Sequence, residues 1–314
     1  MAGRILGHGR AAPICGDGPP GLALHQFQRT PGRAKPPAPP RDRGAALRPW
    51  LPGRPALTTA APLLHRFANP GRFLRATARL MPWLWGLSLA VLLPAAGWAL
   101  LASPADWQQG ETVRIMYVHV PMAWLAMSGY AGLAIASLLA LVWKHPLADL
   151  AARELSPVGA VATALCLATG SLWGRPMWGT WWAWDARMTS VLVLFFLWVG
   201  HAAITRAFED EERGARVGAI LALVGVVNLP IVKFSVDWWN TLHQPASVAR
   251  IEGPSMHISM LGPLLACAIG FSLLFGTLVL ARVRAAVMER RVQALELARA
   301  READRAPAPE AVPA

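Results

Sequence analysis

His119 in "YVHVP", His243 in "NTLHQ" and the indoles of "SLWGRPMWGTWWAWDARMTS" are the residues of this sequence best equipped for chemistry. In the last stretch Trp173, Trp178, Trp181, Trp182 and Trp184 fall within twelve residues, interleaved with Gly174, Pro176 and Gly179 and followed by a lone carboxylate, Asp185. Indoles offer flat apolar faces at little entropic cost, and glycine lets a flat partner approach the backbone closely. The pattern points to a platform for an extended, flat, hydrophobic ring system. An aromatic belt at headgroup level accounts for one or two tryptophans per helix end. It suffices for Trp83, Trp85, Trp143 and Trp198, but not for this density.

A neutral imidazole presents one nitrogen lone pair and is a common axial ligand of haem iron. His119 and His243 flank the indole stretch in sequence, so two imidazoles from opposite directions can clamp a planar haem edge-on over it. His257 is a third candidate with unremarkable neighbours. His201, on an apolar run, reads as a packing or headgroup residue. The guanidinium forks of Arg114, Arg175, Arg187 and Arg250 suit the two haem propionates; for Arg187 a local ion pair with Asp185 is equally open. Asp185 is also placed to cap the helix that follows it. Trp238 and Trp239 stand beside His243 in "FSVDWWNTLHQ". No hydrolytic triad, phosphate-binding loop or metal-ligand cluster is present, and no residue is an obvious acid or base for covalent chemistry. Cys15, Cys166 and Cys267 form no CxxC pair, which excludes a zinc knuckle, a thioredoxin site and covalent haem attachment through CxxCH.

The elements that must position these residues are membrane helices. The chain is 54% hydrophobic and only 15% charged, against about 25% charged in soluble domains. Six apolar runs, roughly 81–102, 120–143, 156–173, 188–205, 216–233 and 258–281, are long enough to cross a hydrocarbon layer of ~30 Å as helices. The expected fold class is therefore all-α, a polytopic membrane protein of six transmembrane helices with an extracytoplasmic tryptophan-rich loop. Pro121 and Pro157 lie near run starts, where proline is tolerated; Pro94 and Pro230 lie inside runs and are expected to kink them. The intramembrane polar residues Ser88, Thr163, Ser171 and Asn228 are too sparse for a permease site.

Lys and Arg near the run ends number fifteen on one side and five on the other. The positive-inside rule then puts both termini in the cytoplasm and the indole stretch outside, on the periplasmic face of a bacterial inner membrane. Nine of the thirty basic residues precede His65, in a Pro/Gly-rich segment, residues 1–60, that cannot build a core and reads as disordered. An over-extended reading frame, with translation starting near Leu57, is the expectation for it. A membrane domain then spans residues 64–291, and a polar cytoplasmic tail, residues 292–314, continues a charged helix beyond the last span.

"WGRPMWGTWWAWDARMTS", "YVHVP" and "NLPIVKFSVDWWNTLHQ" together resemble CcmC, the haem-handling family of System I cytochrome c maturation, from about Leu64 to about Arg291. The tryptophan motif alone marks a wider superfamily that includes CcmF and CcsA. The resemblance implies that haem b is bound at the periplasmic face by the tryptophan-rich domain. It implies that His119 and His243 are the axial ligands. It further implies the small membrane protein CcmD, the haem chaperone CcmE and the transporter components CcmA and CcmB as partners, alongside membrane lipid; nucleic acid is not expected. The alternative is a b-type membrane cytochrome for electron transfer, which would want paired histidines inside facing spans.

Overall fold

The computed structural model describes residues 69–244, 247–248 and 250–305. The N-terminal extension, the expected start near Leu57 and the Pro/Ala-rich end of the tail lie outside the described residues. Within them the chain is helical without strands: α1 Pro70–Gly97, running into a π-turn Trp98–Ala102; a 3-10 turn Glu111–Ile115; α2 Met116–Trp143; α3 Pro146–Trp178; α4 Ala186–Ile204; α5 Glu211–Gly225; α6 Asn228–Trp238; and α7 Ile258–Arg305. Six helical spans are long and apolar enough to cross a bilayer, with α5 and α6 together forming the fifth. The protein is an all-α polytopic membrane protein.

Helix starts follow local chemistry. Asn69 caps α1 by accepting from Gly71 N and Arg72 N, with Pro70 at the first position. His145 caps α3 through Nδ1 and is followed by Pro146, Asp185 caps α4, and Asp210 caps α5. In each case a side-chain acceptor meets an amide that has no partner inside the helix. Helical regularity is interrupted beside Pro94 and Pro230. The π-turn follows Pro94, and the fifth span breaks at Val226 and Val227, just before Pro230, which has no N–H to donate to the Val226 carbonyl and whose ring would clash with it in a regular helix.

Most of the helices overrun their apolar sequence runs: α1 starts at Pro70, and α5 with α6 covers Glu211–Trp238. α2 begins before residue 120, so His119 lies in its first turns rather than ahead of it. α3 starts at Pro146 and continues through Trp178, so Trp173 and Trp178 are helical and the connecting segment shrinks to residues 179–185. Charged residues that end an apolar run need not end a helix. Glu154 lies inside α3, paired with Arg206 and Arg282 at 3.4 and 2.7 Å. α7 carries on as a solvated helix to Arg305.

The main core cluster joins α2, α3, α4 and α5 through Tyr130, Leu133, Leu155, Leu194, Trp198 and Ala222. Trp198 corrects the belt reading: it is fully buried, edge-on to Tyr130 at 5.1 Å, because Gly159 leaves room beneath it. Trp83, Trp85 and Trp143 remain exposed. The sparse intramembrane polar residues serve helix packing. Ser88 of α1 meets Thr277 of α7 at 3.1 Å, and Asn228 donates to the Ser190 carbonyl at 2.9 Å. His201 is buried with its Nδ1 2.6 Å from Ser156 Oγ, as a satisfied packing residue.

Candidate functional site

His119 is held by one stripe of α3. Its Nδ1 lies 3.0 Å from the Cys166 carbonyl and 3.1 Å from Thr169 Oγ1. The Thr169 hydroxyl itself donates to the Leu165 carbonyl at 2.6 Å. A carbonyl only accepts, so Nδ1 must carry the proton, which leaves the lone pair on Nε2. A Cβ on Gly170 would stand 2.9 Å from His119 Cε1. The indole of Trp173 meets the imidazole edge-on at 5.7 Å and is itself fixed by donating to Gln109 Oε1 at 3.0 Å. Residues 166, 169, 170 and 173 follow the spacing of one helix face, so the register of α3 alone builds the cradle.

His243 comes from the segment joining α6 and α7. Its Nδ1 donates to Asp185 Oδ2 at 3.0 Å, which again leaves Nε2 as the acceptor. Asp185 caps α4 at the same time: Oδ1 accepts from Met188 N at 2.7 Å, and Oδ2 also accepts from Leu242 N at 3.3 Å. Trp178 packs against the ring at 5.0 Å. Burial draws the His243 imidazole below its ordinary value of 6.5, against the opposing hydrogen bond and charge of Asp185. The ring is therefore neutral at pH 7, the form that ligates metals.

His119 and His243 line one cavity of about 490 Å³, together with Trp173, Trp178, Arg187 and Lys233. Apolar side chains of α2 and α4, among them Val120, Ala123, Val191 and Leu194, complete the wall. The volume falls in the range of small-molecule and cofactor sites. Two unprotonated imidazole nitrogens, an apolar wall and two cations are the parts that axial ligation of an iron porphyrin bearing carboxylates requires.

Known proteins bear on this geometry. The family model described as "Heme exporter protein C" (CcmC) matches residues 63–298. The chain is 56% identical over 233 residues to Heme exporter protein C of Bradyrhizobium diazoefficiens, covering 74% of this chain and 88% of the relative. It is 48% identical to the protein of that name from Escherichia coli K12 over 70% of this chain and 89% of the relative. With the one from Paracoccus denitrificans it shares 40% identity over 74% and 96%. The chain belongs to the CcmC family.

The CcmC motif residues divide between the cavity and its surroundings. His119, His243, Trp173, Trp178 and Arg187 line the cavity. Arg187 does not pair with Asp185; its Nε donates to Ser235 Oγ at 3.2 Å and its Nη2 to the Lys233 carbonyl at 3.2 Å. Asp185 stands behind His243 and contributes no wall. Trp181 and Trp184 are 55% and 77% exposed, with Arg175 over the Trp181 ring and Trp182 edge-on to Trp184 at 5.4 Å. Trp238 and Trp239 are exposed too, Trp238 stacked on Phe234. Arg114 is engaged by Glu111 at 2.6 Å and by the Ser103 carbonyl. His257 is exposed and bound to Ser259.

The glycines of the CcmC motif have a different role from the one their spacing suggested. Gly174 receives the Trp178 ring, since a Cβ there would lie 3.0 Å from it, and Gly179 ends α3 in the left-handed region at φ 75°. Lys233, Gln109 and Thr169 are functional candidates that sequence reasoning missed. Lys233 is visible as a basic residue at the C-terminal end of an apolar run, but nothing in its spacing ties it to Arg187.

Proposed function

We propose that this protein takes part in haem export for cytochrome c maturation in the bacterial inner membrane. In this reading it holds haem b on the periplasmic side, both chain ends being cytoplasmic, and hands it to the chaperone CcmE. Haem is cargo here rather than a resident cofactor. His119 and His243 would take the axial positions through Nε2, Trp173 and Trp178 would flank the imidazoles, and Arg187 and Lys233 would meet the propionates. The observation that carries the reading is that two imidazoles from distant segments, each with Nδ1 engaged by its own partner, share one cavity. The cavity reaches between the spans as far as Ser128 and Leu194, but its two imidazoles stand in the first turn of α2 and in the loop before α7, and ligands at the end of the bundle favour exchange of cargo over a permanently buried electron carrier.

The exposed Trp181 and Trp184, with Trp182 beside them, form an aromatic surface outside the cavity. It suits reception of CcmE within a complex that also holds CcmD, CcmA and CcmB. Aromatic anchors of an interface commonly contribute about 2 kcal/mol or more each. Replacing Trp181, Trp182 and Trp184 together by alanine is expected to lower covalent haem loading of CcmE about tenfold or more at equal expression, while the protein still inserts. Haem-stained CcmE from cells carrying either form measures this; unchanged loading contradicts the assigned surface.

A further inference from the structure

We propose that Asp185 is a positioning residue that makes His243 the stronger imidazole donor of the pair and biases bound iron toward its ferric form. This rests on the haem reading given above. The two imidazoles are alike in tautomer but not in what holds them. His243 Nδ1–H donates to a carboxylate at 3.0 Å, whereas His119 Nδ1–H meets a neutral carbonyl and a hydroxyl already committed elsewhere.

Hydrogen bonds to a charged acceptor are roughly twice as strong as neutral ones, and a carboxylate behind a ligating histidine raises its basicity. The Asp185 side chain is only 7% exposed, so water screens its charge little. Its other partners are two backbone amides, of Met188 and Leu242, and the nearby Arg187 is bonded to Ser235 and Lys233 instead. Arg187 opposes the pull of the carboxylate on His243 through space, but among the described residues the side chain hydrogen-bonded to the carboxylate is the His243 imidazole, which it polarises. Ferric iron, with one more positive charge than ferrous, gains more from a donor of anionic character. The same side chain caps α4 and fixes the backbone of Leu242, so the donor strength and the place of His243 are set by one residue.

The test is a spectroelectrochemical titration of the full-length protein purified from haem-replete cells, comparing wild type, Asp185→Asn and Thr169→Val. Asparagine keeps the size and one acceptor oxygen, enough for either the His243 Nδ1–H bond or the Met188 cap, and removes the charge. Changing a residue behind a metal ligand commonly costs 10–100-fold in affinity. If that cost falls on ferric haem, the midpoint potential of Asp185→Asn rises by about 59 mV or more, since a tenfold change in a one-electron couple is 59 mV. The bis-imidazole spectrum is retained, and Thr169→Val shifts the potential by less than that. An unchanged potential in Asp185→Asn with an intact spectrum overturns the proposal, as do equal shifts in the two variants. Should Asp185→Asn purify without haem, added haem is titrated in oxidised and reduced form. At least tenfold greater weakening of ferric than of ferrous binding supports the proposal, and equal weakening overturns it. A wild-type protein that binds no haem at all instead removes the reading on which the proposal rests.

Discussion

Substitution of either His119 or His243 by alanine is expected to abolish the six-coordinate bis-imidazole spectrum and to reduce the haem that survives purification at least tenfold. In the proposed site each ring would be the sole ligand on its side of the metal, and each is immobilised by its neighbours. Cys166, Thr169 and Gly170 fix His119, while Asp185 and Trp178 fix His243. Among the described residues neither neighbourhood offers a second imidazole, since His257 is bonded to Ser259 and does not line the cavity. The apolar wall and Arg187 remain in the single variants, so a residual five-coordinate fraction is expected in each and none in the double variant. Absorption spectra of equal amounts of purified protein provide the check. Two single variants that both keep the wild-type spectrum would show that other residues ligate the iron.

The second large effect concerns the frame rather than the site. Gly159→Ala is expected to destabilise the helix bundle by about 1–3 kcal/mol, the usual cost of overpacking a filled core. A Cβ on Gly159 would come closer than 3.0 Å to three atoms of the Trp198 indole. That ring has nowhere to swing, because it is fully buried and abuts Tyr130. Small residues at such crossings are what allow membrane helices to approach. The thermal unfolding midpoint in detergent should fall by several degrees, at about 2–4 °C per kcal/mol for a domain of this size. A midpoint equal to wild type would mean that the indole is not packed over α3.

Much of this architecture is legible from the sequence because the bilayer imposes a simple rule: uncharged runs of sufficient length become spanning helices. The six runs, the interruptions beside Pro94 and Pro230 and the cap at Asp185 follow from that rule and from local backbone chemistry. The rule fails at helix ends. Lipid cannot tolerate unpaired charge, but a helix that rises out of it can, so α3 begins at Pro146 among Asp149, Arg153 and Glu154 and ends among indoles at Trp178. This is why Trp173 and Trp178 belong to the cavity wall while Trp181 and Trp184 do not.

The site is legible in its residue types but not in its pairings. His119 and His243 can be picked out because imidazoles near the ends of spans are few. That His119 rests on residues 166, 169, 170 and 173 requires the register of α3 against α2. That Asp185 serves His243 as well as α4 requires the fold to bring residues 58 positions apart into contact. Trp198 departs from its sequence reading for the same reason: an indole near a span end looks like a headgroup anchor until the glycine opposite it is known.

Pyridine haemochrome analysis of the full-length protein, purified from cells replete with haem, tests the central claim most directly. Near-stoichiometric haem b in a protein with a bis-imidazole absorption spectrum is the result this account predicts. A colourless protein from the same cells would contradict it.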